Sequence, residues 1–450
     1  MSGGFSARRV DASPGRILRL AGPMMLAHMT EPLLGLVDTA VIGRLGEASL
    51  LGAVAIGAVL FDMLFWGLGS LRMSTAALTA QAHGAGDDRE TMLALSRALL
   101  VAAVLGLAII ALQGPIMAAT TALIQPSPAV QAALGLYVGV RIWSAPFALA
   151  NYAVLGSLIG RGRTDLGLAL QVAINLTKIA LTLVLVPGLG LGVVGAATAT
   201  LLAEIVGAAG GLLLLRRLGA LHWGGSADVL KPAAMRRMLA VNRDVAIRSL
   251  TLLAAFAFFT AQGSRAGDVT LAANALLNNL FLFGAYFLDG YATAAEQLCG
   301  QALGARDEAG FRRTVRNALA LSLVTGLAVT ALVFGAGAVF VDFVVADPAV
   351  RVMAHRFLPY AALTPLVGAA AFAFDGIYVG ATWTRAMRDL MLAAFALYMA
   401  AFWLAGDLGN TGLWIALLVF LGARGLGQAA LYPRLARRAF ALPAGQTVPA

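Results

Sequence analysis

The sequence predicts an all-α integral membrane protein in which twelve transmembrane helices form two homologous six-helix lobes around a central cleft. Hydrophobic residues make up 60% of the 450 residues and charged residues only 12%, whereas soluble domains average roughly 45–50% and 25%. A soluble core could not bury this much apolar surface, but lipid can cover it. Two further observations support this fold class: the placement of the charges, and an internal repeat.

Apolar stretches alternate with short polar breaks along the whole chain, and Gly, Pro and charge clusters supply the breaks. Because a helix needs roughly 20 mostly apolar residues to cross a bilayer, each stretch predicts one transmembrane helix. The twelve stretches lie near 17–43, 50–80, 95–118, 130–160, 166–187, 191–215, 238–262, 270–300, 316–342, 352–380, 388–405 and 411–433.

The basic residues fall mainly on one side when the loops are assigned alternately to two sides. That side collects about 24 Lys and Arg against about 4 on the other, which is a strong positive-inside signal. The sequence therefore predicts a multi-pass protein of the bacterial inner membrane with both termini in the cytoplasm. Four basic residues fall inside the apolar stretches: Arg72, Arg141, Lys178 and Arg424.

The longest polar interruption separates the two predicted lobes. We expect a cytoplasmic N-terminal segment, a first lobe with helices one to six, a cytoplasmic linker, a second lobe with helices seven to twelve, and a C-terminal tail. The boundaries are 1–16, 17–218, 219–237, 238–436 and 437–450.

The two halves match each other at a constant offset of 220 residues. The matches pair Gln81 to Asp87 with Gln301 to Asp307, Gly156 and Gly160 with Gly376 and Gly380, and Leu51 to Ala55 with Leu271 to Ala275. Six helices per half make this a parallel repeat, for which alternating access by rocking of the lobes is the default mechanism. The offset also aligns Asp38 with Phe258 and Lys178 with Tyr398, so the charges differ between the copies.

Asp38 lies in the middle of the first predicted helix. A carboxylate there is costly and is a functional candidate by default; the alternative is a structural ion pair. Glu31 precedes it by seven residues and lies within about 20° of the same helix face, although it could also be an interfacial residue near water. Asp38 and Glu31 are therefore predicted to take part in ion coupling.

Lys178 is the second unusual charge of the first half. It lies too deep in its helix to reach water easily, so it needs a partner within the membrane. Thr182 follows one turn later, and Asn175 and Thr200 add polar groups to this half.

The second half carries a different set of intramembrane acids, which are Asp289, Glu296 and Asp375. Phe287 and Tyr291 lie beside the first of them. Carboxylates next to aromatic faces suit an organic cation through charge pairing and cation–π contact. The alternative is that the aromatics face the core or lipid and the acids pair with loop arginines.

Several other classes of protein lack support in the sequence. Cys299 is the only cysteine, the four histidines are scattered, and no HExxH or paired Ser/Lys motif occurs, so we expect no enzyme, no metal site and no cofactor other than a coupling ion, H⁺ or Na⁺. The net charge of +10 lies in short loops, which argues against nucleic acid. The expected partners are a small organic substrate and membrane lipid, and the expected state is a monomer.

Several motifs resemble the multidrug and toxic compound extrusion (MATE) family, most closely its DinF-type branch. They are Leu36 to Gly43, Leu71 to Thr75 with Leu78 to Gln81, Gly195 to Thr200, Ala240 to Asp244 with Arg248 and Ser249, and Leu288 to Gly290. The resemblance spans nearly the whole chain. It implies two six-helix lobes and export of organic, often cationic and amphiphilic compounds in exchange for protons or sodium ions.

The resemblance also bears on the ion-coupling residues. The coupling carboxylate of the family's first helix matches Asp38, and Asn175 and Thr200 match polar members of its ion site. Related DinF-type sequences usually carry Asn and Asp where this sequence has Lys178 and Thr182. With Asp38 and Glu31, the residues predicted for ion coupling are therefore Lys178, Asn175, Thr182 and Thr200. Our hypothesis is that Lys178 replaces a bound sodium ion beside Asp38, which favours proton coupling; the alternative is a purely structural Asp38–Lys178 bridge.

These observations predict an ion-coupled antiporter, with protons favoured over sodium, that exports organic, cationic amphiphilic compounds by rocking-type alternating access. The alternative function is a flippase for lipid or lipid-linked substrates with the same two-lobe fold. An arginine-rich site would favour an anionic lipid head group, whereas the acids of the second half favour a cation.

Overall fold

The computed structural model describes residues 9–44, 47–220 and 226–441, apart from the side chains of residues 31–34, 36 and 226. These residues form α-helices with short connections, and they contain no β-strand. The helices of the first half and the linker are α1 (Pro14–Gly43), α2 (Ala48–Leu68), α3 (Ser70–Gly84), α4 (Asp88–Ala111), α5 (Gln113–Ile124), α6 (Pro128–Arg141), α7 (Ala145–Gly160), α8 (Thr164–Leu183), α9 (Gly192–Arg217) and α10 (Ser226–Val229). Those of the second half are α11 (Pro232–Arg265), α12 (Asp268–Gly304), α13 (Glu308–Val344), α14 (Pro348–Gly380), α15 (Thr384–Leu404) and α16 (Asn410–Ala441).

Eleven helical segments in the described part of the chain are long and apolar enough to cross a membrane. In two of them α2 continues into α3 and α6 into α7. Each of the eleven corresponds to one predicted stretch, and α1, a helix of 30 residues, corresponds to the remaining one. The predicted all-helical, two-lobe membrane fold is therefore confirmed.

The chain divides into two compact units whose boundaries differ from the predicted lobes. One unit contains α1 up to Met25, Gly84–Gly86 and the chain from Arg243 onward; the other contains Leu26–His83 and Asp87–Asn242. The start of α1 belongs with the second half because Gly290 of α12 lies against Met25. Asn317 of α13 also donates a hydrogen bond to the carbonyl oxygen of Ala12 at 2.8 Å.

The predicted linker belongs with the first half as far as residue 242. Arg97 of α4, 2% exposed, donates hydrogen bonds to the carbonyl oxygens of Asp228 and Val229 at 3.0 and 3.1 Å, which caps the carboxyl end of α10. Arg237 donates to Gln81 at 2.6 Å. Residues 1–8, 221–225 and 442–450 of the predicted terminal segments and linker lie outside the described residues.

The internal repeat reappears in the helix boundaries. Helices α2, α4, α6 and α8 begin at residues 48, 88, 128 and 164, and α12, α13, α14 and α15 begin 220 residues later in each case. The helix caps repeat as well. The side chain of Asp87 accepts a hydrogen bond from the amide of Glu90 at 2.8 Å, and that of Asp307 accepts one from the amide of Gly310 at 2.9 Å.

The tightest helix crossing of each half also repeats. A Cβ atom added at Gly156 or Gly160 of α7 would collide with the carbonyl oxygens of Arg72 and Ala76 in α3. In the second half, a Cβ atom added at Gly376 or Gly380 of α14 would collide with the carbonyl oxygens of Ala292 and Glu296 in α12. All four pairs obey the offset of 220, and small residues at such crossings allow close backbone approach within a membrane.

The halves differ in the continuity of their helices. In the first half α2 is separated from α3 at Gly69, α4 from α5 at Leu112, and α6 from α7 by a 3₁₀ turn at Ile142–Ser144. Helix α8 ends in a π-helical turn at Val184–Gly188 that contains Pro187. The equivalent helices α12, α13 and α14 run without a break. Interrupted helices expose backbone polar groups inside a membrane protein, which is tolerated where protein or water satisfies them.

Candidate functional site

The centre of the candidate site is an ion pair between α1 and α8. The ammonium Nζ of Lys178 donates a hydrogen bond to Oδ2 of Asp38 at 2.8 Å, and the two side chains are 14% and 17% exposed. Each charge lies within a long helix, where an uncompensated ion is costly. The pair lowers that cost, since each residue is the counter-ion of the other.

A second contact joins the same two helices. Asn175, one turn before Lys178 on α8, donates from Nδ2 to the hydroxyl oxygen of Thr30 on α1 at 2.9 Å. The Thr30 hydroxyl donates in turn to the carbonyl oxygen of Ala27 at 2.7 Å. Residues three or four apart share a helix face, so Asn175 and Lys178 present one polar face of α8 to α1.

Glu204 is a buried carboxylate that the sequence analysis missed. It lies on α9, and its Oε2 accepts a hydrogen bond from Nδ2 of Asn151 on α7 at 2.7 Å. The same amide donates to the backbone carbonyl oxygen of Glu204 at 3.0 Å. The available signal was a lone carboxylate in a 26-residue apolar helix, which is a functional candidate by the argument already applied to Asp38.

The packing of α8 against α9 turns Glu204 towards Lys178. A Cβ atom added at Gly207 of α9 would meet Ile174 of α8 and the amide of Asn151. The two helices are joined by a short connection and so run antiparallel. One turn back from Gly207 is Glu204 and one turn forward from Ile174 is Lys178, so the two side chains lie at one level. Lys178 interacts electrostatically with Glu204.

Arg141 at the end of α6 supplies the second cation of this region. Its Nη1 donates to the hydroxyl oxygen of Tyr137 at 2.5 Å, and its guanidinium lies 4.5 Å from the ring centre of Phe61. It also interacts electrostatically with Glu204. Two acids and two bases are thus grouped in the first half, with one cation held by aromatic rings and the other bonded to Asp38.

The remaining residues predicted for ion coupling have more local environments. Thr182 is fully buried on α8, and Thr200 donates its hydroxyl to the carbonyl oxygen of Ala196 in its own helix at 3.2 Å. The side chain of Glu31 lies outside the described part of the structure. Roles in ion coupling for these three residues remain predictions.

Asp375 in the second half is surrounded by basic and amide groups. Its Oδ2 accepts hydrogen bonds from Arg248 of α11 and from Arg424 of α16, the latter at 2.6 Å. Its Oδ1 accepts one from Gln428 at 2.8 Å. Asp375 and Arg424 are 4% and 2% exposed, so both carboxylate oxygens are occupied within the protein core.

The other residues predicted to bind substrate face different neighbours. The hydroxyl of Tyr291 accepts a hydrogen bond from Thr325 of α13 at 3.0 Å, and Phe287 packs edge-on against Phe283 of its own helix at 5.2 Å. Glu296 is 3% exposed, whereas Asp289 is partly buried. The roles of these four residues in substrate binding remain predictions.

No group of three or more His, Cys, Asp or Glu side chains within the described ranges could hold a metal ion. The first-half site consists of an ion pair between Lys178 and Asp38 and a buried carboxylate, Glu204, that interacts electrostatically with Lys178 and Arg141. Such charges inside a bundle of membrane-spanning helices are typical of transport proteins. The fold and the site define a multi-pass membrane transporter.

Comparison with known proteins identifies the family. The profile of the MatE family matches residues 23–184 and again residues 245–404, once in each half. The chain belongs to the MATE family, whose members are membrane transporters and not enzymes. The chain is 39% identical to the DNA damage-inducible protein F of Escherichia coli K12 over 94% of this chain and 93% of that protein, which supports an inner-membrane location.

A second relative and two solved structures agree with this assignment. The probable multidrug resistance protein NorM of Caulobacter vibrioides is 28% identical over 90% of this chain and 89% of its own length. A crystal structure of a MATE protein in the bent conformation has a TM-score of 0.86 at 20% identity and covers 95% of this chain and 97% of that one. A crystal structure of a mutant of the Vibrio cholerae MATE transporter VcmN has a TM-score of 0.84 at 20% identity, with coverages of 95% and 98%. These structures support the fold.

Proposed function

We propose that this transporter is an antiporter that exports organic, cationic amphiphilic compounds in exchange for protons by alternating access. The observation that carries the proposal is the hydrogen bond of 2.8 Å between Lys178 and Asp38. The ammonium occupies the place beside the carboxylate that a sodium ion would need. A second cation at this position would be repelled by the fixed charge of Lys178.

The proposed proton coupling follows from the two ligands that can displace the Lys178 ammonium from the Asp38 carboxylate. A proton bound by Asp38 removes the charge that holds Lys178, and so does a cationic substrate that pairs with the carboxylate. Both events compete for one group, and a transporter that releases one ligand when it takes up the other exchanges them. The names of relatives that refer to multidrug resistance support an organic substrate. We also propose cytoplasmic termini, on the basis of the charge bias of the loops.

The test is efflux of a fluorescent organic cation from everted membrane vesicles, with the pH and sodium gradients imposed separately. The wild type is expected to respond to the pH gradient alone, and Asp38→Asn to neither gradient. Lys178→Asn is expected to acquire a response to sodium, because the fixed ammonium is gone. The only other lysine of the chain, Lys231, is 69% exposed, so Lys231→Asn is the matched control.

Two outcomes contradict parts of the proposal. If Asp38→Asn still exports in response to the pH gradient, Asp38 is not the coupling carboxylate. If Lys178→Asn remains as indifferent to sodium as the wild type, Lys178 is not a substitute for the ion and the ion pair is structural.

A second candidate function is a flippase for an anionic amphiphile. The observation that favours it is the pair of arginines on Asp375, because two guanidinium groups beside one carboxylate leave a positive balance among these three residues. Vesicles that contain a fluorescent anionic lipid in both leaflets distinguish the two functions. Export of the organic cation without a change in lipid distribution supports the antiporter, and the reverse supports the flippase.

A further inference from the structure

The ammonium of Lys178 has two carboxylates near it. It is bonded to Asp38 on one side and faces Glu204 on the other, where the contact of Gly207 with Ile174 sets the level of α9 against α8. Asn151 fixes Glu204 through two hydrogen bonds. A carboxylate accepts up to about four hydrogen bonds, so Glu204 retains the capacity to accept one from Lys178.

We propose that Glu204 is a second binding position for the Lys178 ammonium, which moves there when Asp38 loses its negative charge. This inference rests on the proposed function for the event at Asp38 and adds the destination of the displaced ammonium. Hydronium from the acidic aqueous phase transfers a proton to the Asp38 carboxylate and leaves as water, and the hydrogen bond from Lys178 to Asp38 breaks. Lys178 keeps its three protons and forms a hydrogen bond with the Glu204 carboxylate, so no other proton is transferred.

The move follows from the cost of an unpaired charge inside the membrane. Once Asp38 is neutral, the ammonium of Lys178 has lost its counter-ion and must pair with another acid. Lysine carries its charge on a flexible stem of four carbons, and a change of rotamer is a small step compared with a movement of α8. Glu204 is the carboxylate that the packing of α9 places at the same level.

The second cation of the region does not compete in the same way. Arg141 of α6 also faces Glu204, but its guanidinium is bonded to the Tyr137 hydroxyl and lies over the Phe61 ring. From α7, Asn151 contributes a neutral amide. Asp38 of α1 faces Lys178. Asp38 and Asp62 of α2 both interact electrostatically with Tyr137. Arg141 is thus a fixed charge, and Lys178 is the charge able to move.

The proposed move changes which helices are joined by an ion pair. Before the event the pair joins α1 to α8, and afterwards it joins α8 to α9. Protonation of Asp38 therefore both loosens α1 and tightens the packing of α8 on α9. A change of charge at Asp38 of α1 thus alters the packing of α9, a helix to which Asp38 does not belong.

The presence of only two lysines in the chain allows a direct test. The purified full-length protein in nanodiscs, labelled with ¹³C at the lysine ε carbon, gives two lysine signals, and Lys231→Arg identifies the signal of Lys178. In the Asp38→Asn variant, the Lys178 signal is expected to have the same position at every pH. In the wild type, we expect the Lys178 signal to move to that position when the pH is lowered. In the Asp38→Asn background, Glu204→Gln is expected to move the signal again. If it does not, Glu204 is not a partner of Lys178 and the inference is overturned.

A more conservative substitution at Glu204 covers the case in which the protein with Asp38→Asn and Glu204→Gln does not fold. Glu204→Asp in the Asp38→Asn background shortens the acidic side chain by one methylene and is expected to change the Lys178 signal while the Lys231 signal stays constant. An unchanged Lys178 signal overturns the inference here too. The spectra do not depend on transport, so a switch of partners without proton-driven export contradicts the proposed function alone.

Transport gives a second measurement that a merely structural role would not reproduce. We expect Glu204→Gln to slow proton-driven export by about tenfold, as for a typical coupling energy between sites, and to shift its pH profile, because the state with neutral Asp38 loses its partner. Glu204→Asp should restore most of the rate. A lower rate with an unshifted profile and no rescue by Asp would count against the proposal.

Discussion

An ion pair in the first half and an aromatic pair in the second occupy the same contact of the repeated fold. Asp38 and Lys178 meet between α1 and α8. The residues 220 positions later are Phe258 and Tyr398, whose rings meet edge-to-face between α11 and α15 with centroids 5.6 Å apart. Tyr398 is fully buried in the second-half core with Phe420 and Trp414.

The comparison shows that the fold does not require charges at this contact. Two aromatic side chains fill it in the second half without a buried ion, and buried ion pairs generally add little stability compared with apolar residues of similar size. This difference supports the proposed role of Asp38 and Lys178 in ion coupling over a purely structural bridge, because the equivalent contact of the second half is filled without charges.

A second pair of equivalent positions carries opposite charges. Glu204 of α9 corresponds to Arg424 of α16, and each bonds a partner on the equivalent helix: Glu204 bonds Asn151 of α7, and Arg424 bonds Asp375 of α14. Asp375 is closed in by two arginines and Gln428. Glu204 has a neutral amide as its hydrogen-bond partner and interacts electrostatically with Lys178, so its carboxylate is less fully compensated by hydrogen-bonded cations than that of Asp375.

The largest expected effect comes from transferring the aromatic pair into the first half. Asp38→Phe combined with Lys178→Tyr should nearly abolish gradient-driven export and leave the midpoint of thermal unfolding almost unchanged, because both charges are removed together. Efflux from everted vesicles and tryptophan fluorescence on heating measure the two properties. The control is Tyr398→Phe in the second half, which should transport normally.

Two results would contradict this account of the ion pair. Export at the wild-type rate by the grafted protein would show that the charges are dispensable for function. A collapse of its thermal stability, in contrast, would show that the first half needs the ion pair to fold.

An intermediate effect is expected at the repeated helix crossings. Gly160→Ala and Gly380→Ala each place a Cβ atom against a carbonyl oxygen, of Ala76 and Glu296 respectively. Overpacking of this kind costs about 1–3 kcal/mol, and we expect similar losses of stability from the two variants. Gly210→Ala, at a position with open space, is the control. A loss confined to one half, measured by thermal unfolding in detergent, would show that the two crossings are not equivalent.

The smallest effect is expected at a turn that has diverged. Gly162 and Thr382 occupy equivalent positions with φ of +74° and +56°, and a β-branched residue is strained there. Thr382→Gly should therefore stabilise the protein by up to about 1 kcal/mol, and Gly162→Thr should destabilise it by about the same amount. Equal changes of the same sign in thermal unfolding would exclude backbone strain as the cause.

Much of the fold was predictable because it depends on local patterns. Hydrophobic length predicted each of the eleven described segments that are long and apolar enough to cross a membrane. The offset found at Gly156, Gly160 and Gln81 matches helix starts and caps that the structure repeats at 220 residues. The division of α1 between two units was not predicted. It depends on the fit of Met25 against Gly290, which no pattern within α1 reveals.

The site was predictable only where the free-energy cost of an unpaired charge inside the membrane required a partner. Lys178 needed an intramembrane partner, and Asp38, in the middle of the first predicted helix, was the acid proposed for that role. Glu204 carried the same signal and was missed. The partners of Asp375 could not be anticipated in the same way, because Arg248 and Arg424 lie 127 and 49 residues away along the chain. Which of several helices faces an acid depends on packing between helices rather than on spacing within one.

The repeated glycine crossings provide a relative chronology of the molecule. Gly156 and Gly376, the aspartate caps and the shared helix starts agree between the halves, which is the pattern expected if a half-length ancestor with these features was duplicated. The charges at residues 38, 178 and 204 have no counterpart of the same sign in the other copy, so at least one copy has changed at each of them since then. The duplication thus preserved one scaffold twice and left one copy free to acquire a different chemistry.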